Sequence, residues 1–493
     1  MKKKIKRDKS NLTVKERISN FINSNDKKLY MLFITLVIIG GVSLGCLYIN
    51  NSARNIVFMD FWRIIDRVIP LAENNHIISI LDDLWFWDFG QCNYLIYLLT
   101  AINVKYFGLN CLWEEYAGIV VMGIQALVLI LFITKNIFND KNKLFRPKKI
   151  LFSLLVIFLV FNLNQWEILS LQFSFAFMLR VLLYELIFIT FDKAIRTGKG
   201  YLKCGIISLV SILLLSQLYF PAMLLSCLMA ILIFYLFDRN KNKEDKEKNN
   251  KTWKSSLKFW IPSLIAVVLY FSGGIGEASA SQSGFIETIL SFIKNGTLIQ
   301  GFFVMLFSSI LHQDILSHIS LNYIVICGIV LFVFILYALF IYFKNKYYKK
   351  TYLPILFIMY GVINIFAVIY ARGAYGVLYL TSSRYNVETN FIWLGITFIL
   401  GLLIFDTTKR KIYSKIIYII CMIGISITLM MSYNKEYEIS PFRGVYKENL
   451  INLIKENNIK EISLEDLSLF QSPPELVIDG VKQLKEYKLN IFK

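Results

Sequence analysis

Residues 29–49 read LYMLFITLVIIGGVSLGCLYI, an unbroken apolar run without a charged side chain. A helix rises 1.5 Å per residue, so about 20 such residues cross the roughly 30 Å hydrocarbon core of a bilayer. Irregular backbone cannot face lipid, so the run is expected to be a spanning helix. Further runs lie at 116–134, 150–162, 172–192, 203–217, 219–237, 259–272, 322–343, 352–371, 390–405 and 416–433. The chain is 56% hydrophobic with only 8 Pro in 493 residues, and its mean hydropathy is +0.55. These values exclude a soluble globule and a disordered chain. The expected fold class is an all-α integral membrane protein with about eleven spans. The 203–237 stretch, broken from Gln217 to Pro221, reads as two spans with a tight turn or as one bent hairpin. The run 298–311 reads as re-entrant or interfacial, because a crossing there would reverse everything after it.

Topology follows from the basic residues. Lys2, Lys3, Lys4, Lys6, Arg7, Lys9, Lys15, Arg17, Lys27 and Lys28 precede the first span, and further clusters lie at 135–149, 193–203, 238–258, 344–350 and 409–415. All fall on one side when the spans are counted as above, and the positive-inside rule makes that side cytoplasmic. The expected organisation is a basic cytoplasmic segment 1–28, a membrane core 29–433 with a large outer loop 50–115, and a small extracytoplasmic segment 434–493. The cell membrane is the expected location. The apolar run after the basic N-terminus is too long for a signal peptide and no small-residue cleavage site follows, so an uncleaved span is expected. Separate basic clusters beside spans account for the formal charge of +19 as membrane anchoring, and nucleic acid is not an expected partner.

The seven cysteines, most of them within spans, have no metal-ligand spacing. Cys92 and Cys111 share the first outer loop and are the one pair there that a disulfide could join. His76, His312 and His318 are too scattered to propose a metal site, and His76 reads as a surface residue. No cofactor is implied, and the sequence does not show whether Mg²⁺ or Mn²⁺ is needed.

Three outer patches combine charge and aromatics. The first is the acidic, tryptophan-rich loop, which contains MDFWR (59–63) and LDDLWFWDFG (81–90). After Asp60, the residues Phe61, Ile64, Ile65, Val68 and Leu71 or Ala72 recur at helical spacing, which describes an interfacial helix with Asp60 as its N-cap. Trp62, Trp85, Trp87 and Trp113 would form an aromatic belt at headgroup level. The second patch is NLNQWEILSLQF (162–173), where Trp166, Glu167 and Gln172 lie near the membrane surface. An acidic residue so close to apolar flanks is expected to have a partner. The third is ARGAYGVLYLTSSRYNVETN (371–390), with Arg372 and Arg384 as its only cations. Outer arginines run against the positive-inside trend. They read either as snorkelling to headgroups or as planar forks for phosphate, with Gly373 and Gly376 allowing close backbone approach. Arg180 and Glu185 lie within one span at a five-residue spacing that puts them on different faces, so any partner is on another helix.

A carboxylate facing a lipid-side arginine cluster suits sugar transfer from a lipid phosphate. The carboxylate deprotonates an acceptor hydroxyl while arginines hold the departing phosphate, so one base suffices where a glycosidase needs two carboxyl groups. The motifs MDFWR, DDLW (82–85), QWEILSLQF (165–173), RGAYG (372–376) and SSRY (382–385), in this order across residues 29–435, resemble the bacterial multipass glycosyltransferases of the GT-C superfamily. That resemblance implies a GT-C-like bundle, a polyprenyl-phosphate sugar as donor and a cell-surface glycan, lipid or protein as acceptor. It implies Asp60 as base, with Asp82 and Asp83 as competing carboxylates. It further implies Arg372, Arg384 and Tyr385 at the donor phosphate, and Trp62, Trp85, Trp166, Glu167 and Gln172 at the substrate. The family pattern continues after LW with a polar cluster of His, Glu and Arg. Phe89, Gly90, Gln91 and Cys92 stand there instead, with Asp88 as a candidate substitute for part of it. Two alternatives remain at this level: a transporter or flippase of a lipid-linked saccharide, with Arg180 and Glu185 along its path, and a non-catalytic assembly subunit.

Overall fold

The structure of the protein, a computed structural model, describes residues 14–87, 91–138, 143–215, 218–237, 243–272, 284–406, 412–471 and 473–493. Asp88, Phe89 and Gly90, Gln217, and the basic residues before position 14 lie outside the described residues.

In chain order, α1 (Val14–Ser52) leads into α2 (Trp62–Asn74) and α3 (Tyr94–Ile102). Then come α4 (Leu112–Asn136), α5 (Pro147–Val160), the single turn α6 (Trp166–Leu169), α7 (Ser174–Thr197), α8 (Tyr201–Leu215), α9 (Phe220–Phe237) and α10 (Lys243–Ser272). Next are α11 (Phe285–Lys294), α12 (Thr297–Ser308), α13 (Gln313–Leu316), α14 (Leu321–Lys344), α15 (Leu353–Arg372) and α16 (Asn386–Ile404). The chain closes with α17 (Ile412–Glu456), α18 (Leu464–Ser468) and α19 (Glu475–Glu486).

Among the described residues no strand element is present, and 10 helices are long and apolar enough to cross a membrane, which fits a multi-pass membrane protein. The expected span at 203–217 is α8, whose 15 residues reach only about 22 Å. It packs against α7 and α10. The run 298–311 is the second arm of a pair, α11 and α12, bent by 80° at a short break. Gly296 makes that turn with φ +78°, a backbone conformation that side chains with a Cβ disfavour.

Contacts between distant segments define two ends of the bundle. At one, Asp26 of α1 accepts the Phe145 N–H at 3.1 Å, Thr351 donates to Asp192 at 3.0 Å, and the Tyr347 hydroxyl donates to Asp406 at 3.0 Å. Arg196, Lys143, Lys149, Lys349 and Lys350 gather at that end. At the other end lie residues 50–87 and 91–115, the turn 161–173, the segment 372–385 and residues 434–471 and 473–493. α17 has 45 residues and is about 67 Å long, so it continues far past a hydrocarbon core. It crosses α1 closely: a Cβ at Gly444 would collide with the Asn51 carbonyl oxygen.

The chain then folds back over α2. The Gln483 amide donates to the Asp66 carbonyl at 3.2 Å, and the Asn490 amide donates to Asn55 at 2.9 Å and to the Leu109 carbonyl at 2.7 Å. This layer corrects two expectations. Trp62 is not at headgroup level: it is 1% exposed, with its ring edge-on to Phe470 at 6.3 Å and Gly480 of α19 packed over it. The amphipathic helix after Asp60 exists as α2, but Ile64, Ile65, Val68 and Ala72 are buried in protein, with α3 and α19 packed against the helix. The disulfide that Cys92 and Cys111 could have formed is absent, since both are free and buried. Burial pushes the Cys92 thiol up to about 12 and the Cys111 thiol well above its ordinary value, so both stay protonated at neutral pH. His76 is exposed, as expected.

Candidate functional site

Asp60 is presented by a turn. Met59 has φ +53°, the left-handed region, and its N–H donates to the Phe470 carbonyl at 2.9 Å. A bulky residue is held there at a cost of about 1–3 kcal/mol, and such strain clusters at functional sites. The expected N-cap role is not observed: α2 has Phe61 as its N-cap residue and no side-chain cap bond. The Asp60 carboxylate is instead 57% exposed and points toward the 382–385 segment.

Asp60 Oδ2 lies 4.0 Å from Nη1 of Arg384, and its Oδ1 lies 3.7 Å from Nε of Arg63 and accepts from the Gln471 amide at 3.1 Å. Arg384 in turn is held by Glu167, with Nη2 to Oε1 at 2.7 Å. Ser382 closes the group: its hydroxyl donates to Glu167 Oε2 at 2.7 Å and accepts from Arg384 Nε at 3.0 Å. The Ser383 hydroxyl oxygen accepts the Glu167 N–H at 3.1 Å. The partner expected for Glu167 is therefore Arg384. A planar guanidinium anchored on one side by a carboxylate that is 6% exposed, and open on the other, is 29% exposed itself. That geometry leaves donors free to meet an anion.

Arg372 ends α15 and is exposed, with no ion pair among the described residues. Tyr219 and Tyr385 both lie within electrostatic reach of Arg372 and Arg384. Tyr385 is buried, with the Arg384 guanidinium 5.9 Å above its ring. Other sequence candidates lie elsewhere. Asp82 and Asp83 are exposed in the turn after residues Ile77–Ile80 and make no ion pair among the described residues. Trp85 packs on Tyr94 with ring centroids 5.4 Å apart. Gln172 is fully buried, and its amide donates to the Ile56 carbonyl at 2.6 Å, which ties the 162–173 turn to the first loop.

Two groups beside the site were not anticipated. Glu436 of α17 is buried and accepts from the Tyr48 hydroxyl at 2.7 Å, meets His312 Nε2 at 2.8 Å, and receives Nε and Nη2 of Arg443 at 2.8 Å each. The Arg443 guanidinium sits 3.3 Å from the Trp166 ring centroid, so this cluster braces the turn that carries Glu167. Glu436 and Arg443 are seven residues apart, two turns along one helix face, which is the one signal the sequence carried. The C-terminal end of α12 is fastened by an amide and an indole. Asn164 donates to the Ser308 carbonyl at 2.8 Å, and Trp393 Nε1 donates to Ser309 at 2.8 Å.

Arg180 finds its partner on another helix, as the spacing required: it pairs with Glu388 of α16. Its guanidinium stacks on Phe177 at 4.6 Å and Tyr219 at 4.0 Å, and both ends of the pair are shut off from solvent. Among the described residues no group of three or more His, Cys, Asp or Glu side chains is arranged to hold a metal ion. No protein-family model, curated protein or solved structure matches the chain.

Proposed function

We propose that the protein is a membrane glycosyltransferase that moves a sugar from a polyprenyl-phosphate donor to a cell-surface acceptor on the outer face of the membrane. The observation that carries this reading is the convergence of Asp60, Arg384 and Glu167, distant in sequence, at one end of an apolar bundle. The accessible Asp60 carboxylate takes the proton of the acceptor hydroxyl. The acceptor oxygen then forms a bond to the anomeric carbon as the bond from that carbon to the phosphate oxygen breaks. The phosphate leaves with its charge met by Arg384 and by Arg372, while Glu167 and Ser382 hold the Arg384 fork in place. Trp166, braced by Arg443, offers a face for a sugar or lipid headgroup.

The donor is lipid-linked in this reading because nucleotide sugars are made in the cytosol and the site is on the opposite side from the basic clusters. The transporter alternative has less support, because Arg180 is sealed in a pair with Glu388 under aromatic rings and does not line a path.

The test uses proteoliposomes supplied with polyprenyl-phosphate hexoses or pentoses carrying tritiated sugar, with released polyprenyl phosphate as a second readout. Asp60→Asn is expected to lower transfer about a hundred- to ten-thousand-fold, the usual contribution of a general base. Asp82→Asn and Asp83→Asn are expected to leave it unchanged. Normal transfer by Asp60→Asn, or labelled lipid-linked sugar crossing the bilayer without covalent transfer, would overturn the reading.

A further inference from the structure

Glu185 stands at the middle of the 24-residue α7, is 1% exposed, and has no hydrogen-bond partner for its Oε2. Arg180, on the same helix, is committed to Glu388, and among the described residues no other charged group pairs with Glu185. Glu185 lines a small cavity with Gln125 of α4, Gln165 of the 162–173 turn and Asn390 of α16. Apolar side chains such as Val181 and Phe391 make up the rest of the wall.

The three amides share one orientation, which hydrogen bonding fixes. Gln125 donates its NH₂ to the Met178 carbonyl at 2.7 Å, Gln165 to the Val160 carbonyl at 3.3 Å, and Asn390 to the Leu159 carbonyl at 2.8 Å. A backbone carbonyl only accepts, so these bonds are made by the NH₂ end of each amide and the amide oxygen is not spent on them. Asn390 Oδ1 is buried with no partner. Two buried acceptors of the lining, Glu185 Oε2 and Asn390 Oδ1, are thus left without a partner.

A proton on Glu185 supplies one donor to several acceptors, whereas a cation satisfies all of them at once. Hard oxygen donors suit a hard cation, a single carboxylate balances a single positive charge, and the small volume favours a small ion. We infer that Glu185, Gln125, Gln165 and Asn390 form a buried binding site for a monovalent cation of sodium size. An ion there joins α4, α7 and α16 and fixes Gln165, two residues from Glu167. The inference rests on this cavity alone and stands whether or not the protein transfers sugar.

The test is thermal unfolding of the full chain in lipid nanodiscs, titrated with NaCl against choline chloride at matched ionic strength. Wild type is expected to show a saturable rise, on the order of 1–2 °C at sodium tenfold above its Kd. Glu185→Gln is expected to lose the sodium response while melting in choline at or above the wild-type temperature, because an unpaired buried carboxyl has been neutralised. That choline melt shows that the variant folds. The sodium response of wild type is expected to weaken as pH falls, since protons compete for the same carboxylate. Identical melting in sodium and choline, or an equal sodium response in wild type and Glu185→Gln, would overturn the assignment and leave a site for water or a proton only.

Discussion

Two arginine–glutamate pairs of this bundle, Arg180 with Glu388 and Arg384 with Glu167, differ in what surrounds them. Arg180 and Glu388 are each almost wholly enclosed, and the guanidinium lies against Phe177 and Tyr219. Arg384 and Glu167 are enclosed on the glutamate side only, and the open side of the guanidinium faces the exposed carboxylate of Asp60. The first pair has its interactions saturated inside the protein, so its contribution is to hold α7 against α16. The second keeps donors unspent at a bundle end, which is the condition for acting on something outside the chain. An arginine in an apolar helix is therefore a functional candidate only once its second face is known.

The comparison is broken most severely by separating the enclosed pair. Arg180→Met leaves Glu388 unpaired in a sealed site and is expected to cost about 3–5 kcal/mol, read as a large fall in melting temperature. The double change Arg180→Met with Glu388→Met is expected to recover much of that loss, because an apolar pair of similar volume is often as stable as the ion pair. A double variant no better than the single one would mean that the pair does more than hold two helices.

At the open pair, Glu167→Gln keeps shape and removes charge. It is expected to cost about 1–3 kcal/mol as the anchored guanidinium loses its partner, and to lower transfer more than it lowers melting temperature. Equal melting losses at Glu167 and Glu388 would erase the distinction drawn here.

A smaller effect tests the protein layer that covers α2. Asp66 is half-buried and its carboxyl is held above its usual range, first by burial, with Asp479 of α19 adding to the rise and Arg67 opposing it. A raised carboxyl pKa means the folded state binds the proton more tightly than the unfolded one. Stability at Asp66 is therefore full below the ordinary Asp range and falls as pH rises through it toward the raised value. Asp66→Asn is expected to raise the melting temperature slightly at pH 7 and to change nothing at pH 3.

Much of the fold was legible because spanning helices announce themselves by hydropathy, as in residues 29–49. Asp60, Glu167 and Arg384 could be named for the same reason: charge at the margin of an apolar span is costly and stands out. What could not be read was which margins meet. Glu167 and Ser382 are 215 positions apart, and Asp60 and Gln471 are 411 apart, so local periodicity says nothing of either contact. Trp62 misled because a tryptophan beside a span reads as an interfacial belt residue. Its burial depends on α19, whose return over α2 has no local signature. Arg372 lies within electrostatic reach of Tyr385 as Arg384 does, yet of the two only Arg384 pairs with a carboxylate among the described residues.

The central claim is that Arg384 is an anion-binding group and Arg180 a packing one. Binding of polyprenyl monophosphate to the protein in nanodiscs, compared between wild type and Arg384→Gln, tests it most directly. The account expects affinity to fall tenfold or more in Arg384→Gln with cooperative unfolding retained. Unchanged affinity in a folded Arg384→Gln variant would contradict it.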